Sequence, residues 1–546
     1  MSGSKPSFLL PAIGVVALVA GGVGAYVYFN QGGSLTPQSS AKLVPNNALM
    51  TTFISTDDRA WDKLQKFGTP EARQQVEKGV QEFRTKMLAD TNFDVDKDLK
   101  PWVGNVMVAV MPPGEAGKTR NSNVLFVVGI KDKSKAFNFS SKIKEQKGAA
   151  TKEVDYKGVK ITEITEQPKN NSYHLAVLNN TLVLSADRTV VQQAIDTSKG
   201  EPSFATRAGV DKLLSKGTGV QNPLAEVYIP DYATAYPQLV RTDASPVPYL
   251  GDLAQPKQIQ SLVAGVGVDD MGVRLKMTTE LNPTALKVDY KPVSGDVVSQ
   301  FPSDTLAVAG GQGLKSLWSA MTAQTSDPSV QNLVKATRTQ ISESLKLDAD
   351  KEVFGWMDGE FALGIIPAKE GILSQFGVGP ALVIRTSDRP TAEATLAKLD
   401  ALAKSNNLIV GERQVQGKSV TEWTVPVQGA FLGHGWLDQQ SLFIAMGPLV
   451  DVIAAKPQAA LNSGDTFKSA TASLPKSSSS YFYLDMEKTL ALLTEKGFFK
   501  AQGSNSAGGD AVLQSIRGIG LTAVQLDSST NQLEVLAALK PSSTTK

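Results

Sequence analysis

The chain has no cysteine among its 546 residues and only two histidines. The first absence excludes disulfide frameworks, thiolate zinc sites, iron–sulfur clusters, thiol nucleophiles and the bacterial lipoprotein anchor. The second leaves little material for imidazole acid–base or metal chemistry. Charge of one sign is missing too: 55 Lys and Arg stand against 53 Asp and Glu, a net of +2. The positive field with which phosphate-tracking proteins grip their target is absent, so nucleic acid is not expected as a partner. With 41% hydrophobic and 20% charged residues the chain can bury a core, which excludes general disorder. At about 100 to 200 residues per domain, the length implies three or four domains, or fewer large ones.

Residues 8–29, FLLPAIGVVALVAGGVGAYVYF, contain no charge at all. At about 1.5 Å per residue they would make about 33 Å of helix, enough to span a bilayer. Lys5 and the terminal amine precede the stretch and no charge follows until Lys42, which predicts an amino terminus in the cytoplasm and everything beyond residue 30 outside it. The expected lipid contact is made by this helix. Val23-Gly24-Ala25 offers the alternative of a cleaved signal peptide, against which the length of the apolar run argues. Residues 31–42, rich in Gly, Ser, Gln and Pro, read as a flexible spacer.

The most informative pattern is internal repetition. Residues 43–282 align with 299–541, joined by an inter-repeat linker at 283–298 and followed by a tail at 542–546. The stretch 93–102, FDVDKDLKPW, meets 347–356, LDADKEVFGW, without a gap. Trp61 pairs with Trp318, Gly158 with Gly417, Thr162-Glu163 with Thr421-Glu422, and Tyr228 with Tyr483. Collinear matches over so long a span argue for duplication. Within one unit, β-branched runs such as WVGNVMVAVMP and VLFVVGI flank Gly- and Pro-rich turns, and YHLAVLN meets TLVLSA through Asn179-Asn180. Ala392, Leu396, Leu399 and Ala403 form one face of a helix. The expected fold class is α+β: an N-terminal transmembrane helix followed by two tandem homologous units with antiparallel sheets and packed helices.

The apolar start, the acidic run closing in Pro101-Trp102-Val103-Gly104, the alternating strand after it and the doubled layout resemble a membrane-anchored bacterial family. It is best represented in cyanobacteria and catalogued as a domain of unknown function. The resemblance covers residues 43–541, with DKDLKPWVGNVMVAV its most specific element; the second copy departs, with Gly355 in place of the proline. It implies a protein facing the periplasm or thylakoid lumen from the cytoplasmic or thylakoid membrane, and it supplies no family enzyme activity to carry over.

His174 and His434 are the candidate ligands, and an ungapped match of HLAVLNNTL to HGWLDQQSL sets them at equivalent positions. A pair of neutral imidazoles could bind a metal or a tetrapyrrole. Neither has a second histidine at ligand spacing, so the structural reading is preferred and no metal or other cofactor is expected. Asp94, Asp96 and Asp98, mirrored by Asp348, Asp350 and Glu352, open like a calcium loop. They lack its Gly at the sixth position and Glu at the twelfth, and read as helix caps. Residues 310–316, GGQGLKS, look like a phosphate loop without its Gly-Lys-Ser/Thr ending. Two S-x-x-K spacings, from Ser141 and Ser473, have no companion motifs. Four of the six tryptophans, at 61, 102, 318 and 356, read as core anchors. The expectation is a non-enzymatic scaffold or interaction protein with a protein partner. The alternative is a binding module holding a lipid, pigment or peptide in a cleft between the repeats.

Overall fold

The computed structural model describes residues 35–88, 95–113, 123–144, 149–166, 171–239, 258–283, 291–323, 328–497 and 507–542. The chain divides into two units: the first runs to Pro283 and also takes in the segment from Ser542, and the second spans Thr284–Pro541.

The first unit contains β1 (Met50–Ile54), β2 (Val103–Val110), β3 (Val124–Ile130), β4 (Ala149–Tyr156), β5 (Val159–Glu166), β6 (Asn171–Leu178), β7 (Thr181–Ser185), β8 (Pro223–Ile229), β9 (Ile259–Val268) and β10 (Gly272–Leu281). Their pairings give the order β10-β9-β8-β1-β2-β3-β7-β6-β5-β4, every contact antiparallel. The second unit contains β11 (Ala307–Gln312), β12 (Glu360–Pro367), β13 (Val378–Arg385), β14 (Ile409–Val415), β15 (Lys418–Val425), β16 (Gly429–Trp436), β17 (Ser441–Met446), β18 (Ser480–Asp485), β19 (Ile516–Asp527) and β20 (Thr530–Leu539). Its order, β20-β19-β18-β11-β12-β13-β17-β16-β15-β14, is the same one, strand for strand.

Alternation along the central strands sends side chains to two faces. Leu125 and Val127 of β3 join a core with Val183, Phe204 and the Arg188–Ser198 helix, which supplies Val190, Val191, Ala194 and Ile195. Phe126 and Val128 turn the other way, to Trp102 and the Lys133–Lys144 helix. In the second unit Ala381 and Val383 face Val450 and Ile453 of the Leu449–Ala454 helix, while Leu382 and Ile384 face Trp356 and the Arg389–Ser405 helix. Each sheet therefore carries helices on both sides. Identical turns close the outer hairpins: Lys157-Gly158 and Gln416-Gly417 all have positive φ, the conformation of a two-residue type I′ turn.

The α+β class stands, but the expected architecture is corrected at its start. Among the described residues no helix is long and apolar enough to cross a membrane. The two longest, Pro70–Leu88 and Pro328–Leu345, are interrupted by charge throughout, and residues 8–29 lie outside the described residues. The spacers also differ from expectation. Thr36 caps the Pro37–Ala41 helix in a reciprocal box with Ser39, and Ser40, Ala41 and Val44 are fully buried. The counterpart is the short helix Asp296–Gln300, with Val297, Val298 and Phe301 buried. In each unit the same bond fastens this lead-in: Phe204 N–H to the Val44 carbonyl, and Leu461 N–H to the Phe301 carbonyl. Residues assigned to flexible linkers are thus partly core, because Thr-Pro-Gln-Ser is a helix start and not only a polar run.

Candidate functional site

The two histidines are not equivalent. Glu163 pairs across the strands with His174, whereas its counterpart Glu422 pairs with Gly433; His434 lies opposite Thr421. The hairpin turns explain the slip. Leu178 and Thr181 bracket a tight two-residue turn with Asn179 at φ 58°, while the Leu437 N–H reaches the Ser441 carbonyl across three residues. One extra residue shifts the register, and with a side-chain period of two it moves the histidine to the opposite face.

His174 accordingly faces the Arg188–Ser198 helix. Its Nδ1 is buried, makes no hydrogen bond and stands 3.7 Å from Glu163 Oε1, whose carboxylate is taken by Arg188 at 2.8 Å. Burial pushes the imidazole below its ordinary value, with Arg188 adding to the shift and Glu163 opposing it. His434 faces the Arg389–Ser405 helix instead. Its Nε2 lies 2.9 Å from Asp400 Oδ1, and Trp423 Nε1 donates to the same oxygen at 2.6 Å. Asp400 thus orients an imidazole and an indole, an arrangement that locks the helix to β15 and β16. Among the described residues no three His, Asp or Glu side chains gather closely enough to hold a metal ion.

The acidic runs form a helix start and its supports. Asp348 accepts from the N–H groups of Asp350 and Lys351, and Glu352 returns a carboxylate to the Asp348 N–H. Asp350 takes Trp318 Nε1 at 2.7 Å and Arg338. The single π-helical turns Val95–Leu99 and Ala349–Val353 then bring each tryptophan over its own turn. Trp102 Nε1 donates to the Asp98 carbonyl at 2.7 Å, and Trp356 Nε1 to the Glu352 carbonyl at 2.9 Å. Lys142 pairs with Asp98 and Lys398 with Glu352, so this corner is the same in both units. Trp102, Trp318 and Trp356 are buried, whereas Trp61 is half-buried. Asp94 and the side chain of Asp96 lie outside the described residues.

The glycine run is a packing device. The Tyr481 ring lies over Gly310, where a Cβ would meet it at 2.4 Å. Gly313, at φ 80°, turns the chain into the Leu314–Ala323 helix. Ser141 donates to the carbonyl of Phe137, one turn back on its own helix.

What the sequence reading missed are carboxylates bonded to hydroxyls, buried at Glu360 and Asp485 and half-buried at Glu226. Glu360 accepts from Ser294 at 2.7 Å and Tyr481 at 3.3 Å; Glu226 accepts from Thr218 and from Tyr228 at 2.8 Å; Asp485 accepts from Tyr483 at 3.3 Å. Burial first, then the adjoining carboxylate, raises all three phenols far above their ordinary range, so they remain donors. The only sequence signal was the Tyr228–Tyr483 match itself.

No curated protein matches the chain. Among solved structures, crystal form I of TP0453 aligns at 10% identity over 46% of this chain and 81% of that one, with a TM-score of 0.26. Crystal form IV of the same protein aligns at 10% identity over 44% and 81%, with a TM-score of 0.25. Likenesses that distant carry no argument about fold or function. The family model is different in reach: it runs unbroken through residues 12–539, across both ten-stranded units, and the chain belongs to the family described as Protein of unknown function (DUF3352).

Proposed function

We propose that the chain is a non-enzymatic interaction scaffold, two copies of one antiparallel unit holding different surfaces on a common frame. One observation carries this reading. The carboxylates beside the candidate residues already serve the fold: Asp400 holds His434 and Trp423, Glu163 holds Arg188, Glu422 holds Arg413, and Asp350 holds Trp318 and Arg338. A carboxylate engaged in this way is a poor nucleophile or base, since reaction would cost it the hydrogen bonds and ion pairs it already makes. The repeated strand order supports the frame, and the unlike outer residues of the two units support distinct contacts.

Crosslinking of the full chain in native extracts, followed by mass spectrometry, tests the reading. A reproducible protein neighbour crosslinked through exposed lysines of one unit is expected. Recovery of the chain alone, or crosslinks spread evenly over unrelated proteins, would overturn it.

A further inference from the structure

The two helices that follow β3 and β13 start from the same corner and present opposite characters to solvent. Ala136 and Ala392 both enter a core, and Lys142 and Lys398 both reach back to the acid before the tryptophan. That register sets Phe137 against Glu393. Glu393 forms an i,i+4 ion pair with Arg389 at 2.7 Å, as an exposed helix position does in water. Phe137 is 72% exposed. Its helix, KSKAFNFSSKIK, contains four lysines and no acid, whereas the Arg389–Ser405 helix balances Arg389, Lys398 and Lys404 with Glu393 and Asp400.

Around Phe137 the exposed neighbours are cationic or small, apart from Asp132, which precedes the helix and sits 3.7 Å from the Lys135 ammonium. Lys133 lies one turn before it, Lys135 is exposed, and Ser134, Asn138 and Ser140 fill the spaces between. Phe139, two residues on, points inward and packs tilted against Trp102 with ring centroids 5.4 Å apart, so the helix is already anchored without Phe137. An aromatic ring left in water on a basic helix face matches an anionic lipid surface. The lysines are drawn to the headgroup charge, and the ring enters the boundary where headgroups meet acyl chains.

We propose that the Lys133–Lys144 helix docks the first unit on an anionic bilayer surface, with Phe137 as the inserting side chain, a contact that goes beyond the scaffold reading. The absence of native cysteine makes the test clean. Full-length Phe137→Cys is labelled with a single environment-sensitive fluorophore and mixed with vesicles of phosphatidylcholine, alone or with about one-third phosphatidylglycerol. A several-fold emission rise with a blue shift is expected on the anionic vesicles only. Adding Lys133→Glu and Lys135→Glu, both at exposed positions, should abolish it, and raised salt should weaken it. The same label at Glu393→Cys should not respond. Equal responses to both vesicles, indifference to the charge reversals, or a response to polyglutamate but not to vesicles would each overturn the proposal; the last would assign this face to an acidic polypeptide. The vesicle outcomes do not bear on whether the chain has a protein neighbour, and a polyglutamate response would sink the lipid contact while leaving the scaffold reading standing, so the two readings fail separately.

Discussion

In the first unit Phe53 of β1 stands opposite Glu226 of β8; at the same place in the second, Gly310 of β11 stands opposite Tyr481 of β18. The aromatic ring has changed strands. Beside it, Asn105, which receives Thr56 and donates to the Leu35 carbonyl, is replaced by Glu360, which receives Ser294 and Tyr481. Glu163 is held by an arginine at the start of a helix and Glu422 by Arg413 on the edge strand β14, which also reaches Asp451. The difference teaches where the fold is specified. Alternation and turn geometry set the strand order, and each cross-strand pair needs only matched volume and satisfied hydrogen bonds, whichever strand supplies them.

The deepest feature the units share is the tryptophan corner, so breaking it tests whether they are equal in energy as well as in shape. Trp102→Ala and Trp356→Ala should each cost about 3–5 kcal/mol, because an indole is removed from a packed site and a backbone carbonyl loses its donor. Calorimetry on the full chain should show each substitution lowering one unfolding transition by a similar amount. A much smaller loss for one tryptophan would mean that the corner is copied in geometry only.

The exchanged aromatic pair comes next. Gly310→Ala should destabilise the second unit by about 1–3 kcal/mol, since the added methyl meets both the Tyr481 ring and the Phe361 carbonyl. On a Tyr481→Ala background part of that penalty should vanish, a coupling of about 0.5–3 kcal/mol in a double-mutant cycle. Additive losses by denaturant titration would show that the ring and the glycine did not change together.

Such exchanges also explain what the sequence could show. Strands β2, β3, β6 and β7 were legible because alternation and turn residues are local, and the tryptophan corner because its residues are contiguous. Strands β4 and β14 were not, since AATKEVDY is mostly polar and IVGERQV buries only its final Val415, which leaves no alternating face to read. The histidine register failed for a different reason: a one-residue change in turn length is invisible to an ungapped comparison yet inverts a strand's faces. The carboxylate–phenol pairs were hidden because their partners come from separate strands and loops, far apart in the chain.

Those opposite faces give the histidines different surroundings, and acid should reveal it for the first unit. With the folded-state value of His174 lowered by burial, the unfolded chain binds a proton at a higher pH than the folded one. Stability of the first unit should therefore fall as pH drops below about 6.5 and level off once the folded-state value is passed. Glu163, lowered chiefly by the Arg188 hydrogen bond, acts in a separate window: its contribution is present above about 4.5 and is lost as pH falls further. Denaturant titrations of the wild type and His174→Gln across that range should show the upper slope disappearing in the variant and the lower one remaining. A slope unchanged by the substitution would remove His174 from the account.

The smallest effect gives the finest comparison. Gly158 and Gly417 sit at φ 76° and 78°, each after a residue already at positive φ, and a Cβ on either would meet nothing within 4 Å. Space is therefore not what keeps glycine there; the backbone conformation is. Gly158→Ala and Gly417→Ala should each cost about 1 kcal/mol, because an L side chain in the left-handed region is strained even without a clash. Since the two turns have the same angles and the same open surroundings, their losses should agree within a few tenths of a kcal/mol. Equal values would show that the outer hairpins are energetic copies. Unequal values would place the difference in the flanking strands, where the Lys160–Glu153 pair lies beside one turn and Arg413 pairs with Glu422 near the other.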